Sequence, residues 1–271
     1  MLYTNGYAQN GSCFLLLCGN TASFMFHVKP ASCCPCITRP ECRIMDTTRR
    51  REVSPMEKNE MQAPDFEALL LFDREPDALQ PEQVCQALAA RFGGVEPNEG
   101  RYQLTGYGVA VQAGMPGPFD HTTVSDFVRG QMWNVKDANG LLSRCTYAVR
   151  LADDNALQME YKQRGKMLTQ LVEAGLAMYP DCVAVFVPAS GRLVTAGQVR
   201  ENPARGGDRF LYLCVNTRLF SISGASSDMM IDTVGLYLLG LPDVQYHFHT
   251  LNPNKVMKHA YSVASLLYAV G

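Results

Sequence analysis

"MMIDTVGLYLLGLPDVQYHFHT", residues 229–250, holds two strand-like runs around a middle that closes on Gly240, Leu241, Pro242 and Asp243. In "DVQYHFH" the apolar Val244, Tyr246 and Phe248 alternate with Gln245, His247 and His249, the period of a strand with one buried face. Glycine and proline punctuate the connection, so the segment reads as a hairpin whose turn is Gly240-Leu241-Pro242-Asp243. Strands joined this tightly run antiparallel, because a parallel pair needs a crossover of a dozen residues or more. This hairpin tips the chain away from a parallel α/β class.

The flanking sequence agrees. Downstream, Asn252 and Pro253 start a helix with Val256, Ala260, Val263 and Leu267 facing inward. Upstream, "FEALLLF" (residues 66–72) reads as a buried strand. Pro81 opens a helix with Val84, Leu88 and Phe92 on one face, and Gly93-Gly94 ends it. "RYQLTGYGVAVQAG" is a strand or a bent pair. Thr123 and Asp126 have capping-box spacing for a helix carrying Phe127 toward Trp133. "RCTYAVRLA" is a strand. "NALQMEYKQRGKMLTQLVEAGLAMYP" is the strongest helix, capped by Asn155 with Gln158 and striped by Leu157, Tyr161, Leu168, Leu171, Val172 and Gly175. "CVAVFVPA" reads as a central strand and "RFLYLCVNTRLFSIS" as one long strand or two short ones. The expected fold is α+β, with a mostly antiparallel or mixed sheet and helices packed on one side.

Composition divides the chain near residue 55. Residues 1–55 carry 6 Lys+Arg and 3 Asp+Glu, leaving 18 against 23 and a charge of −5 for residues 56–271. An acidic body argues against nucleic acid as partner, which requires a basic face. No transmembrane run is present, so no membrane partner is expected. Six cysteines lie before residue 55, at spacings that fit neither paired zinc ligands nor an exported disulfide framework. Cys85, Cys145, Cys182 and Cys214 lie in or beside apolar runs and read as small core residues of a cytoplasmic protein. "RRREVSPM", residues 49–56, decodes through AGG and GAG codons to a purine run containing AGGAGG, a ribosome-binding sequence just ahead of Met56. Residues 1–55 are therefore expected to be a spurious or disordered extension without a paired strand, and residues 56–271 a single domain.

Chemistry-bearing motifs are few. The chain has no phosphate loop, and "SGASSD" (residues 223–228) lacks the frame of a serine nucleophile elbow. His247 and His249 share one strand face but have no evident third ligand, so no metal and no cofactor is expected. The loop "MPGPFDHTT" offers Phe119, Asp120 and His121 on a proline-stiffened backbone. With Trp133 they form the expected interaction surface, and residues 116–121 are expected to project, since proline donates no ladder bond. Gly240, Pro242 and Asp243 are assigned to the turn.

"LLLF", "GMPGPFD", "GQMWN", "YAVRLAD", "AVFVPAS" and, most specifically, "DTVGLYLLGLPDVQYHF", "LNPNKV" and "AYSVASLLY" resemble the bacterial family catalogued as domain of unknown function 4261. The resemblance runs from Phe66 to the C-terminus and leaves residues 1–55 unmatched. It carries no catalytic residues, and implies a cytoplasmic bacterial domain of the immunity or stress-associated kind. The function expected is a non-enzymatic protein-interaction domain with a protein partner or self-association. The alternatives are a hydrolase-type enzyme built around His121, Asp243 and His247, and a structural homodimer.

Overall fold

The computed structural model describes residues 63–154, 156–222 and 228–271, with residues 16–19 and 22–29 as backbone strands. In chain order the strands β1 (Leu16–Gly19), β2 (Ala22–Lys29) and β3 (Glu67–Phe72) precede helix α1 (Pro81–Phe92). The meander β4 (Val95–Asn98), β5 (Arg101–Leu104), β6 (Val109–Ala113) and β7 (Gly117–Pro118) leads to short helices α2 (Asp126–Arg129) and α3 (Ala138–Arg144). Then come β8 (Tyr147–Asp154), α4 (Tyr161–Met178), β9 (Ala184–Val187), β10 (Arg192–Thr195), α5 (Ala196–Glu201) and α6 (Gly206–Cys214). The chain closes with β11 (Asn216–Ser221), β12 (Asp228–Val234), β13 (Asp243–His249) and α7 (Pro253–Val270).

Two antiparallel sheets result. One has the order β10-β9-β3-β8-β6-β5-β4 with β7 also on β8; the other is β1-β2-β13-β12-β11. Alternation along the larger sheet splits its side chains between two cores. Leu70, Phe72, Val149, Leu151 and Val185 face Leu168, Leu171 and Val172 of α4. Leu71, Ala184, Phe186 and Leu193 face the other way, onto Leu141 and Leu142 of α3 and Met132. The long helices thus share one face, as an α+β layer requires, and only short helical turns cover the other. α4 packs on β3 and β8, α6 on α4 and α7, and α7 on the smaller sheet. Ile231, Val244, Tyr246 and Val256 therefore belong to the same core as α4. Gly175 sets the closeness of that packing: a Cβ there would meet Leu151 Cδ1 at 2.6 Å and Leu70 Cδ1 at 2.9 Å.

Several sequence expectations needed revision. "RFLYLC" is helical, in α6, with Phe210, Leu211, Leu213 and Cys214 buried. A short apolar run fits either period, and here the helical one buries it against α4 and α7. The helix expected from Thr123 is a 3-10 turn followed by α2, which is capped by Ser125 and ends at Gly130. α4 starts later than expected, capped by Glu160, and Leu157 lies in a preceding 3-10 turn; the proposed cap Asn155 lies outside the described residues. Most of "SGASSD" also lies outside them. In α7 the fully buried positions are Val256, Ala260, Ala264 and Tyr268, and Val263 and Leu267 pack partly buried against the same core. Residues 22–29 also depart from expectation, since β2 pairs with β13 from Asp243↔Lys29 to His247↔Met25.

The proline loop does not project in the expected way. β6 pairs with β8 through Ala113↔Leu151, Gly114 N–H donates to Arg150 O, and pairing resumes at Gly117↔Ala148. Met115 and Pro116 thus oppose the single Val149, a β-bulge that absorbs one extra residue and lets the ladder continue past the proline. The four body cysteines are free; Cys145, Cys182 and Cys214 are buried, and burial pushes their thiols up to about 11, 12 and 12. Cys145, Cys182 and Cys214 are core fillers, and their burial disfavours the thiolate form.

Candidate functional site

The connection between β12 and β13 is longer than a four-residue turn. Gly235 leads into a 3-10 turn, Leu236–Leu239, and Gly240 follows in the left-handed conformation at φ 74°. Gly235 has φ 140°, and a Cβ there would lie 2.4 Å from Cys214 O, so the close approach to α6 requires glycine. Asp243 closes the connection. Its Oδ1 accepts from Thr233 Oγ1 at 3.0 Å and Leu236 N at 3.2 Å; its Oδ2 accepts from Gly235 N at 3.1 Å and Tyr237 N at 3.3 Å. Burial pushes this carboxyl up to about 6, and the four donors oppose the rise. Gly240, Pro242 and Asp243 thus belong to one connection, with Asp243 as its internal clamp.

The three residues of the hydrolase alternative have separate surroundings. His121 lies in a 3-10 turn, with Nδ1 3.2 Å from Arg129 Nη2, and Arg129 also donates to the His121 carbonyl. His247 sits on the exposed side of β13, where its nearest carboxylate is Asp228 at 3.8 Å. Asp228 also meets His249 Nδ1 at 2.5 Å. Both histidines lie on the solvated face, as their alternation with Tyr246 and Phe248 implied. Among the described residues no three His, Cys, Asp or Glu side chains gather into a metal-binding group.

The expected interaction residues divide. Phe119 is half-buried against the second core, and its N–H donates to Thr146 O. Asp120 caps the following turn by accepting from Thr122 N and Oγ1, which pulls its carboxyl below the usual range. Trp133 is 53% exposed, and Nε1 donates to Gln131 Oε1 at 3.1 Å.

Linked to Trp133 through Gln131 is an aromatic pair that the sequence did not reveal. Phe127, 44% exposed, stacks on Phe220 of β11 with ring centroids 5.6 Å apart. The Arg218 guanidinium lies 5.3 Å from the Phe220 centroid while bonding both oxygens of Asp232 at 2.8 and 2.6 Å. Gln131 pins this region to the sheet edge: its amide donates to Leu219 O and its Oε1 accepts from Leu219 N. Phe220, Met230 and His247 then form a row across β11, β12 and β13. Alternation on β11 could have placed Arg218 and Phe220 on one face; the approach of Phe127 depends on a tertiary contact across ninety residues of chain.

The fold and this surface define an α+β domain with two antiparallel sheets and an exposed aromatic platform. Residues 232–271 match the family model described as domain of unknown function (DUF4261), in agreement with the resemblance and confined to its most specific part. The matched segment begins in β12 and includes Asp243 with its whole connection, β13 and α7. Searches of curated proteins and of solved structures found no match. No helix among the described residues is long and apolar enough to cross a membrane.

Proposed function

We propose that this chain is a non-enzymatic cytoplasmic bacterial binding domain that recognises a protein partner through Phe127, Trp133 and the adjoining outer face of β11 and β12. The observation that carries this reading is the exposure of two large aromatics that are nonetheless fixed, one by stacking on Phe220 and the other by Gln131. Fixed exposed aromatics lose little entropy on binding and supply large apolar area. The hydrolase alternative lacks a comparable support, because His121, Asp243 and His247 each have partners outside the trio. An immunity-like or stress-associated role, implied by the resemblance, is compatible with such a binder.

The test compares the wild-type chain with Phe127→Ala/Trp133→Ala as bait in the same native lysate, together with the self-association of each. Proteins recovered by the first and lost by the second, at unfolding free energies within about 1 kcal/mol of each other, are expected for a surface role. Loss of self-association alone would identify a second copy as the partner. Equal recovery and equal self-association would overturn the assignment.

The proposal takes residues 56–271 as the functional unit. A protein beginning at Met56 is expected to unfold at the same midpoint as the full chain, since the described core residues of α4, α7, the larger sheet and β11–β13 all lie after residue 63. A clearly lower midpoint would assign a stabilising role to the β2–β13 ladder.

A further inference from the structure

We propose that the cleft between α1, α4 and the α5–α6 connection binds a small, multiply charged phosphorylated anion. Its cavity of about 620 Å³ is of small-ligand size, and among the described residues its walls carry Arg91, Lys166, Arg200, Arg205 and Arg209 against one carboxylate, Glu173. This surplus of four positive charges stands on a body of net charge −5, so the basic residues are gathered against the overall composition.

The cations are also held in place. Arg209 Nε donates to Glu173 Oε1 at 2.9 Å and Arg91 Nη1 to Oε2 at 3.3 Å, which uses the one carboxylate among the described lining residues twice. Arg200 donates to Pro180 O at 2.9 Å, and Arg205 to Pro203 O and Ala204 O at 3.1 and 2.9 Å. Carbonyls orient a guanidinium but leave its charge uncompensated. Lys166, exposed on α4, has no ion-pair partner among the described residues. Like charges fixed around one concavity repel unless an anion enters, and the cavity walls concentrate their field. Gly206, the first residue of α6, also lines the cleft, and that helix start has no side-chain cap. Its first-turn backbone N–H groups, uncapped by the Arg205 side chain, add a second donor type suited to phosphate oxygens.

Among the described residues the cleft wall has no aromatic side chain that could serve as a platform for a nucleobase. Recognition should depend on the phosphates alone, whether these belong to a polyphosphate chain or to a nucleotide tail. Calorimetric titration of the full chain with inorganic tripolyphosphate, and separately with ATP, tests this. Saturable binding of both is expected, with ATP no tighter than tripolyphosphate and both weakening as sodium chloride is raised. The exposed-charge variant Lys166→Gln/Arg205→Gln should weaken binding by at least about tenfold with an unchanged unfolding midpoint. Absence of saturable tripolyphosphate binding would overturn the site, as would equal affinity in the variant. ATP binding far tighter than tripolyphosphate would overturn recognition by phosphates alone.

Discussion

Replacing Arg164 with methionine is expected to lower the free energy of unfolding by roughly 3–5 kcal/mol, the usual cost of leaving a buried charge without its partner. Arg164 is 1% exposed although it sits in the middle of the body. Its Nε and Nη2 both reach Asp153 Oδ2, at 2.9 and 2.7 Å. Nη1 donates to Leu238 O at 2.5 Å and Nη2 to Pro64 O at 2.8 Å. Asp153 Oδ1 in turn accepts from Phe66 N at 2.7 Å. One guanidinium thereby joins α4 to β8, to the entry of β3 and to the connection closed by Asp243. Methionine matches much of the volume, so the loss measures polar pairing more than packing. Urea unfolding of the variant decides it, and a loss under about 1 kcal/mol would show that water replaces the network.

Asp243→Ala is expected to cost a comparable amount, roughly 3–5 kcal/mol at pH 7, because three backbone N–H groups and the Thr233 hydroxyl lose their acceptor together. The same residue should give a pH signature. Its folded pKa, about 6, lies above the unfolded carboxylate value, so between those values the folded state binds more protons. The associated stability is complete below about pH 4 and is lost as pH rises through 6. Asp243→Asn cannot titrate, so the wild-type minus Asn difference in unfolding free energy should fall across that window and flatten above it. A difference that does not vary with pH would contradict the buried, proton-binding carboxylate. Alanine more disruptive than asparagine would confirm that acceptor loss dominates, since the amide keeps one oxygen toward its donors.

The parts of the fold legible in sequence were those where local periodicity and tertiary burial agree. Val84, Leu88 and Phe92 mark the buried face of α1, and Pro81 and Gly93 its ends, as their spacing indicated. Val244, Tyr246 and Phe248 face the core while His247 and His249 face outward. Legibility failed where a short apolar run fits two periods, as in α6, and where irregular backbone mattered. The bulge at Met115 and Pro116 is fixed by β8, a partner strand more than thirty residues away, so the two prolines alone could not reveal it. The same limit applies to the site. Trp133 was assigned to the expected interaction surface and is exposed, whereas the Phe127–Phe220 stack and the basic cleft are assembled from elements far apart in the chain. Asp243 was legible as a turn residue but not as a clamp that accepts four hydrogen bonds, because three of its donors lie in a connection longer than sequence indicated and the fourth, Thr233, lies in β12.

The position of β3 constrains how this protein can be made. It is the first strand of the larger sheet to leave the ribosome, yet its two neighbours are β8 and β9. Leu70 must remain unpaired until Val149, and on its other edge until Val185, has been synthesised. Until β8 has been made, a strand as apolar as "EALLLF" therefore has two open edges, and until β9 it has one, the state most prone to pairing with another chain. Yield in the cell should accordingly depend on chaperone supply and translation speed more steeply than the stability of the finished fold would suggest.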